Sequence, residues 1–436
     1  MLKIRPFRGT LYNPDKVSGD NVVAPPYDII PPELKETLYQ KSPFNIVRID
    51  FGKDMEGDDK GNNKYTRARE ALQQWSDAGV LVTDTGPAFY AYEVDYNLAG
   101  ENRRLRGVLA LVKLVELGDG VYPHEATHSK PKADRLDLMR SCMANISPIF
   151  SLYNSPLKVT AGILDTVAEN PYFTANDTDG AKHSLYKITD PSHIDLIKRE
   201  LSDKSIFIAD GHHRYEVALE FKQEMDSLMD DHEKGVKGGS LSDFSARFSA
   251  SRPWDYVLMF LANMSDNGLT ILPTHRMVKG ITHREEIMAR LQPHFSVSKL
   301  EGADLKKGIV KAIREGGGCI LGLYLTDEKS YYVLKYKGAE LGDMHEAVRG
   351  LDVVVLHELV LKKDLGITEV AYEMDEKQSV ARAEVEGFDA VFFLNPTGVA
   401  DVERVALAGL RMPPKSTYFY PKLLTGMVIN SFKNQI

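Results

Sequence analysis

The sequence has little cysteine and no long apolar run. Only Cys142 and Cys319 occur in 436 residues, and neither belongs to a CxxC pair, so the sequence suggests neither a disulfide framework nor a cysteine zinc site. No stretch approaches the roughly 20 apolar residues that cross a bilayer. Residues 1–7 lack the apolar core of a signal peptide. We therefore expect a cytoplasmic protein with no membrane partner.

Positive charge is also scarce. The chain has 54 Lys and Arg against 62 Asp and Glu, which gives a formal net charge of -8. Because neutralising nucleic-acid phosphates requires a basic surface, this balance argues against a nucleic-acid partner, although a local basic pocket stays compatible with it. The length suits two or three domains. Nothing in the sequence indicates the oligomeric state.

The most informative segment is a polar run between an apolar stretch at 205–208, predicted to be a strand, and a segment at 217–221, predicted to be helical. A helix start exposes unpaired backbone N–H groups and the positive end of the helix dipole, which together favour anions. The run therefore predicts a phosphate or nucleotide site, with a structural turn as the alternative. Its five central residues, called the signature below, are Asp210, Gly211, His212, His213 and Arg214.

Each signature residue has a chemical property that suits phosphate. Gly211 allows the backbone to approach a ligand closely, and Arg214 can clamp a phosphate through two parallel hydrogen bonds. His212 and His213 can donate hydrogen bonds or move protons near neutral pH. Asp210 can hold Mg²⁺ or accept a proton.

A second polar segment contains His124, Glu125 and His128 in the order of a zinc-protease HExxH motif. In such enzymes both histidines lie on one helix, but here Pro131 follows too soon for a helix of the usual length. We also consider a solvated loop, and a loop that faces the signature and offers both signs of charge to a phosphorylated ligand. The residues that would supply those charges are His124, Glu125, Lys130, Lys132 and Arg135.

Near the C-terminus, Lys415, Ser416 and Thr417 resemble the end of a P-loop. The glycines that a P-loop requires upstream are absent, so this is not a Walker A motif, but an anion-binding loop remains a prediction. The pair His275 and Arg276 suits a binding role or a salt-bridged structural role equally well.

The alternation of apolar and polar residues predicts a mixed α/β (α+β) fold with a region at 1–240 that holds the signature and an α/β region at 241–436. The composition from 223 to 253 predicts a mobile excursion, which could act as a lid. The predicted helices cover 61–79, 132–144, 192–201, 285–292, 305–315 and 401–408, and the predicted strands cover 87–94, 107–116, 254–264, 319–325, 331–336 and 390–394.

The signature resembles that of the free serine kinases in the ParB/sulfiredoxin-like superfamily. Further blocks, which extend the resemblance over nearly the whole chain, are similar to the domain-of-unknown-function family 1015. Those blocks are Ala24-Pro25-Pro26-Tyr27-Asp28, His124-Glu125, Pro131-Lys132, Asp134-Arg135 and Met412 to Tyr420.

The resemblance implies a ParB/sulfiredoxin-like core in which Asp210, His212, His213 and Arg214 handle nucleotide phosphates together with Mg²⁺, held by Asp210. It also implies a carboxylate that takes the proton of the substrate hydroxyl. In the serine kinases that carboxylate is a glutamate, which no motif here aligns, and the candidates are Asp28 and Glu125.

Three functions follow as hypotheses. The first is an Mg²⁺-dependent phosphotransferase between ATP or ADP and a small hydroxylated metabolite, with L-serine and O-phosphoserine as the favoured pair in either direction. It assigns phosphate binding to Gly211 and Arg214 and, more weakly, to His124, Lys132, Lys415, Ser416 and Thr417. The second is a ParB-like nucleotide-binding switch, and the third is an HExxH zinc hydrolase.

Overall fold

The computed structural model describes residues 2–125, 129–233, 252–281, 284–302, 304–338 and 341–435. Its strands are β1 (Ile4–Arg5), β2 (Thr10–Tyr12), β3 (Leu81–Thr83), β4 (Phe89–Leu98), β5 (Glu101–Lys113), β6 (Val121–Tyr122), β7 (Ala144–Asn145), β8 (Ile149–Tyr153), β9 (Phe173–Asn176), β10 (Lys182–Ile188), β11 (Ile206–Asp210), β12 (Tyr256–Asn263), β13 (Thr270–Leu272), β14 (His275–Val278), β15 (Phe295–Lys299), β16 (Ile320–Leu325), β17 (Ser330–Tyr336), β18 (Val370–Glu373), β19 (Ala390–Phe393), β20 (Tyr418–Tyr420) and β21 (Asn430–Ser431).

The α-helices are α1 (Gly19–Val22), α2 (Pro32–Lys41), α3 (Val47–Asp50), α4 (Lys64–Asp77), α5 (Ser129–Cys142), α6 (Val159–Val167), α7 (Pro191–Leu201), α8 (His212–Glu233), α9 (Arg284–Leu291), α10 (Leu305–Glu315), α11 (Glu346–Arg349), α12 (Asp352–Val354), α13 (Glu376–Glu386) and α14 (Val399–Leu407). Short 3₁₀ helices cover Tyr27–Ile29, Pro253–Asp255 and Phe432–Asn434, and a π-helix covers Val355–Leu365.

The described residues form two compact units. The first unit contains the described residues of the ranges 1–123, 127–269 and 421–436. The second unit contains residues 124–125 and the described residues of the range 270–420. The predicted boundary near 240 lies outside the described residues. Strand β12 belongs to the sheet of the first unit, and the C-terminal segment also belongs to that unit.

The first unit is built on a nine-stranded sheet in the order β6-β11-β8-β12-β5-β4-β10-β9, with β1 also paired to β5. The pairs β6/β11 and β8/β12 are parallel, and the other pairs are antiparallel. All five residues of β8 are buried, as expected for a strand with both faces covered. Helix α8 packs into this core through Val217, Phe221 and Met225, whose spacing of four residues places them on one helix face.

Strand β11 carries the signature at its carboxyl end, where the pairing with β8 becomes irregular. Ile208 faces Ser151 whereas Asp210 faces Phe150, so Ala209 is an extra residue on the β11 side. Such bulges re-aim side chains at the ends of strands. The bulge places Asp210 directly before the start of α8.

The second unit contains a six-stranded antiparallel sheet in the order β15-β17-β16-β19-β14-β18, and β13 pairs separately with β20. Its core includes Met277, Ile309, Tyr331 and Phe393. The predicted mixed α/β fold is thus confirmed at this level, and the ParB/sulfiredoxin-like core stays a prediction.

Two local predictions need correction. Helix α8 begins at His212, five residues earlier than the predicted start at 217, because the signature itself forms its first turn. The same helix continues to Glu233, so the predicted excursion does not begin at 223; residues 234–251 lie outside the described residues.

None of the helices described is long and apolar enough to span a membrane.

Candidate functional site

The backbone at Gly211 turns strand β11 into helix α8. Gly211 has φ +92°, a conformation that favours glycine. A Cβ at this position would lie 2.8 Å from Nε of Arg214, so a larger residue would also displace the arginine. The first helical hydrogen bond runs from Tyr215 N to Gly211 O, at 3.1 Å, which places the amino end of α8 at the signature.

Arg214 is held from two sides. Its Nη1 donates to Pro148 O and, at 3.2 Å, to Ser147 Oγ, while Nη2 lies 3.8 Å from Asp210 Oδ2. The other Asp210 oxygen, Oδ1, accepts a hydrogen bond from Gly211 N at 3.0 Å. These contacts fix the guanidinium beside the helix amino end, where both features favour an anion.

Lys422 adds a second cation that the sequence analysis did not identify. Its Nζ lies 3.4 Å from Asp210 Oδ2, the oxygen that also faces Arg214. Lys422 follows Pro421 in the C-terminal segment of the first unit, 212 residues from Asp210. No short motif links two residues so far apart, so only the fold reveals this contact.

The two signature histidines differ in exposure. His212 is 8% exposed and His213 is half-buried. Both belong to the first turn of α8, which is the part of a helix that contacts anions. Their predicted roles in phosphate contact or proton handling remain predictions.

A buried charge cluster lies in the same unit, and of its charged residues the sequence analysis proposes only Arg135 as a candidate for a site. Arg135 Nη1 donates to Asp50 Oδ1 at 3.1 Å, and its Nε and Nη2 donate to Asp134 Oδ2 at 3.0 and 2.6 Å. The guanidinium lies 4.0 Å from the centre of the Tyr27 ring. Thr425 Oγ1 donates to Asp50 Oδ2 at 3.4 Å.

The two aspartates of this cluster differ in pKa. Burial raises the pKa of Asp50, and Arg135 and Arg214 oppose that rise only in part. Burial also acts on Asp134, but there Arg135, Lys64 and Tyr65 outweigh it and lower the pKa to about 2. Asp50 is therefore the carboxylate of the pair that binds a proton more readily.

A cavity of about 40 Å³ lies between this cluster and the signature. Its polar lining comes from Asp50, Arg135, Asn145, Ser147 and Arg214, and the rest of the lining is apolar. A guanidinium of the signature and a buried carboxylate therefore line the same cavity.

Two other predicted residues of the first unit have defined positions. Asp28 is exposed on the 3₁₀ helix Tyr27–Ile29. Lys132 is ion-paired with Glu216 of α8, two residues beyond the signature.

The first two residues of the HExxH segment, His124 and Glu125, do not have the helical conformation that a zinc protease needs. Glu125 forms an isolated parallel bridge with Met412, and neither His124 nor Glu125 is helical, whereas the motif places its residues on a helix. His128 and Lys130 cannot be placed, since residue 128 and the side chain of 130 lie outside the description. The described residues contain no group of three or more His, Cys, Asp or Glu side chains able to hold a metal ion.

In the second unit, His124 and Glu125 instead contact Thr417. Glu125 Oε1 accepts hydrogen bonds from Thr417 N at 3.1 Å and from its Oγ1 at 3.0 Å, and His124 Nε2 lies 2.8 Å from that hydroxyl. Ser416 Oγ donates to Pro413 O at 2.5 Å. The Thr417 groups that an anion would use are thus engaged by the protein's own carboxylate. Phosphate binding by Lys415, Ser416 and Thr417 remains a prediction.

Arg276 is 1% exposed and is held without a salt bridge among the described residues. Its Nη2 donates to Lys415 O at 2.9 Å, Nη1 donates to Thr274 O, and Nε donates to His357 Nε2 at 3.3 Å. Burial lowers the pKa of Arg276 to about 10 and the pKa of both His275 and His357 to about 3. Among the described residues neutral acceptors hold the arginine, so the choice between a binding role and a structural role for the His275–Arg276 pair stays a prediction.

The chain is similar to one protein family and to several solved structures. The model of DUF1015, described as a protein of unknown function, matches residues 4–354. No curated protein matches. Among solved structures, a conserved hypothetical protein from Pyrococcus furiosus has 15% identity, covers 74% of this chain and 99% of its own, and gives a TM-score of 0.33.

Two complexes of mutant free serine kinase are also similar. The complex with ADP has 14% identity, covers 73% of this chain and 92% of its own, and gives a TM-score of 0.35. The complex with AMP has 13% identity, covers 76% and 94%, and gives a TM-score of 0.36. These TM-scores are low, so the likeness carries no argument about function.

Proposed function

The chain belongs to the DUF1015 family, and for it we propose a phosphotransferase that moves a phosphoryl group between ATP or ADP and a small hydroxylated metabolite. L-serine and O-phosphoserine are the pair we favour. The observation that carries the proposal is the convergence of Arg214, Lys422 and the amino end of α8 on the turn at Gly211.

This arrangement suits phosphoryl transfer because that reaction needs little covalent help from protein. Its rate comes mainly from positioning the groups and neutralising charge on the transferred phosphoryl group. Arg214 is fixed by Pro148 and Ser147, so its remaining N–H groups meet an anion without further ordering. Lys422 adds a second positive charge beside the same carboxylate.

The roles of two histidines follow the sequence-based assignment: His212 and His213 contact phosphate or move protons. Asp210, for which the resemblance implies a bound Mg²⁺, here orients Arg214 and Lys422 by charge. Asp28 and Glu125 were the candidates for the group that takes the hydroxyl proton; Asp28 is the one in the same unit as the signature.

The described residues do not fit a magnesium site held by the protein alone. Mg²⁺ prefers octahedral oxygen ligands, usually one or two carboxylates with waters and substrate phosphates. Asp210 instead faces two cations, and no cluster of metal-binding side chains occurs in the described part of the chain. Mg²⁺ would therefore enter the site as a companion of the nucleotide.

Phosphorus NMR of the purified protein tests the proposal with Mg²⁺ in two mixtures, ATP with L-serine and ADP with O-phosphoserine. Formation of phosphoserine or of ATP supports a phosphotransferase and gives the faster direction. Nucleotide binding without transfer in either mixture, and with other small hydroxylated acceptors, would instead support the ParB-like switch.

A further inference from the structure

The cavity beside Arg214 has features of a second subsite. At about 40 Å³ it has room for about two or three water-sized groups, which suits a hydroxymethyl group better than a nucleobase or a sugar ring. Its polar lining carries charges of both signs. Its apolar lining is formed by Leu138, Met139, Ala144, Ile146, Ile149, Val217 and Val257.

Asp50 is the acidic residue of this polar lining. It is 4% exposed, and it shares the guanidinium of Arg135 with Asp134: Nη1 donates to Asp50, while Nε and Nη2 donate to Asp134. Its second oxygen is 3.4 Å from Thr425 Oγ1, which is a long hydrogen bond. A buried carboxylate with incomplete compensation, placed at a cavity, is a group that can accept and release a proton.

We propose that this cavity binds the hydroxymethyl end of the phosphoryl acceptor and that Asp50 takes the hydroxyl proton. The proposal rests on the function proposed above. The proposal gives the proton-accepting role to a residue other than Asp28 or Glu125, in a cavity that is lined by both Arg214 and Asp50.

Asp50 receives the hydroxyl proton while the phosphoryl group is transferred. The acceptor oxygen forms a bond to the γ-phosphorus of a nucleoside triphosphate while the bond from that phosphorus to the bridging oxygen breaks, and its electron pair stays on the departing diphosphate. The hydroxyl proton moves to the Asp50 carboxylate and then to solvent. In the reverse direction, protonated Asp50 returns the proton to the alcohol oxygen.

The first test compares Asp50→Asn with Glu93→Gln. Glu93 is a matched control because it is also buried, at 3% exposure, and burial raises its pKa too, but it does not line the cavity. We expect Asp50→Asn to lower kcat for transfer to L-serine at least 100-fold and to remove the acidic limb of the pH profile, with ADP affinity unchanged. We expect Glu93→Gln to retain transfer.

A second variant avoids the risk that loss of Asp50 impairs folding. Val217→Ile adds one methylene to the apolar lining of the cavity without changing a charge. We expect the KM for serine to rise at least tenfold while the Kd for ADP stays the same.

Failure of the proposed subsite gives a different result from failure of the proposed function. Absence of transfer by the wild-type protein refutes the function itself. Wild-type transfer with an unchanged serine KM in Val217→Ile overturns the subsite, as does an acidic limb that persists in Asp50→Asn but disappears in Asp28→Asn.

Discussion

Removal of the Arg214 side chain is the perturbation whose effect follows most directly from the geometry. Nη1 is committed to Pro148 O and Ser147 Oγ, so the Nη2 edge beside Asp210 is the part that can meet a phosphate. One or two charge-assisted hydrogen bonds there, at about 1.5–3 kcal/mol each, amount to about 3 kcal/mol. Since each 1.36 kcal/mol changes a rate tenfold, we expect Arg214→Ala to lower kcat/KM at least about 100-fold.

Steady-state kinetics of ATP-dependent serine phosphorylation measure this loss. Arg214→Lys keeps the charge but not the planar fork, so its activity should lie between those of the wild type and the alanine variant. Arg140→Ala is the matched control. Arg140 of α5 pairs with Glu224 of α8, the helix that also carries Arg214, but Glu224 lies beyond the signature. We expect this variant to stay within about twofold of the wild type, as is usual for surface pairs.

Thermal unfolding must accompany the kinetics. Loss of Arg214 leaves Pro148 O without this donor, which costs about 1–3 kcal/mol of stability if the group stays buried. A folded Arg214→Ala protein with wild-type kcat/KM would refute the role of Arg214 in phosphate binding.

Three further predictions concern other parts of the molecule. Gly211→Ala should destabilise the protein by about 1–3 kcal/mol in denaturant unfolding, because φ is +92° and the new Cβ would lie 2.8 Å from Arg214 Nε; an unchanged midpoint would contradict this. Lys422→Ala should weaken ADP binding about tenfold by calorimetry, and equal affinity would exclude a phosphate contact. Burial lowers the pKa of His275 and His357 to about 3. Their contribution to stability is thus full above about pH 6.5 and is lost progressively as the pH falls toward 3, so unfolding followed by circular dichroism should show lower stability at pH 5 than at pH 7, and less so in His357→Gln.

Local patterns in the sequence predict much of the first unit. The predicted helix at 61–79 and the predicted strands at 87–94 and 107–116 correspond to α4, β4 and β5. These elements have clear periodicity and defined ends, such as the Asn63 side chain, which caps α4 by accepting from Tyr65 N and Thr66 N. The start of α8 is less predictable, because its first turn consists of the polar signature residues.

The site is only partly predictable for a different reason. The signature is contiguous, so its glycine, histidines and arginine stand out in the sequence. Asp50 and Lys422 approach the same region only because the chain folds back. Asp50 is 85 residues from its partner Arg135, and Lys422 is 212 residues from Asp210. At Glu125 the sequence misleads in the other direction. The HExxH pattern matches there, but Glu125 forms an isolated β-bridge with Met412 and is not helical.

Transfer of labelled phosphate from γ-labelled ATP to L-serine, measured in parallel for the wild type and Arg214→Ala, tests the central claim most directly. The account predicts labelled phosphoserine with the wild type and at least about 100-fold less with the variant. Absence of label in any small hydroxylated acceptor with the wild type, or equal transfer by both proteins, would contradict it.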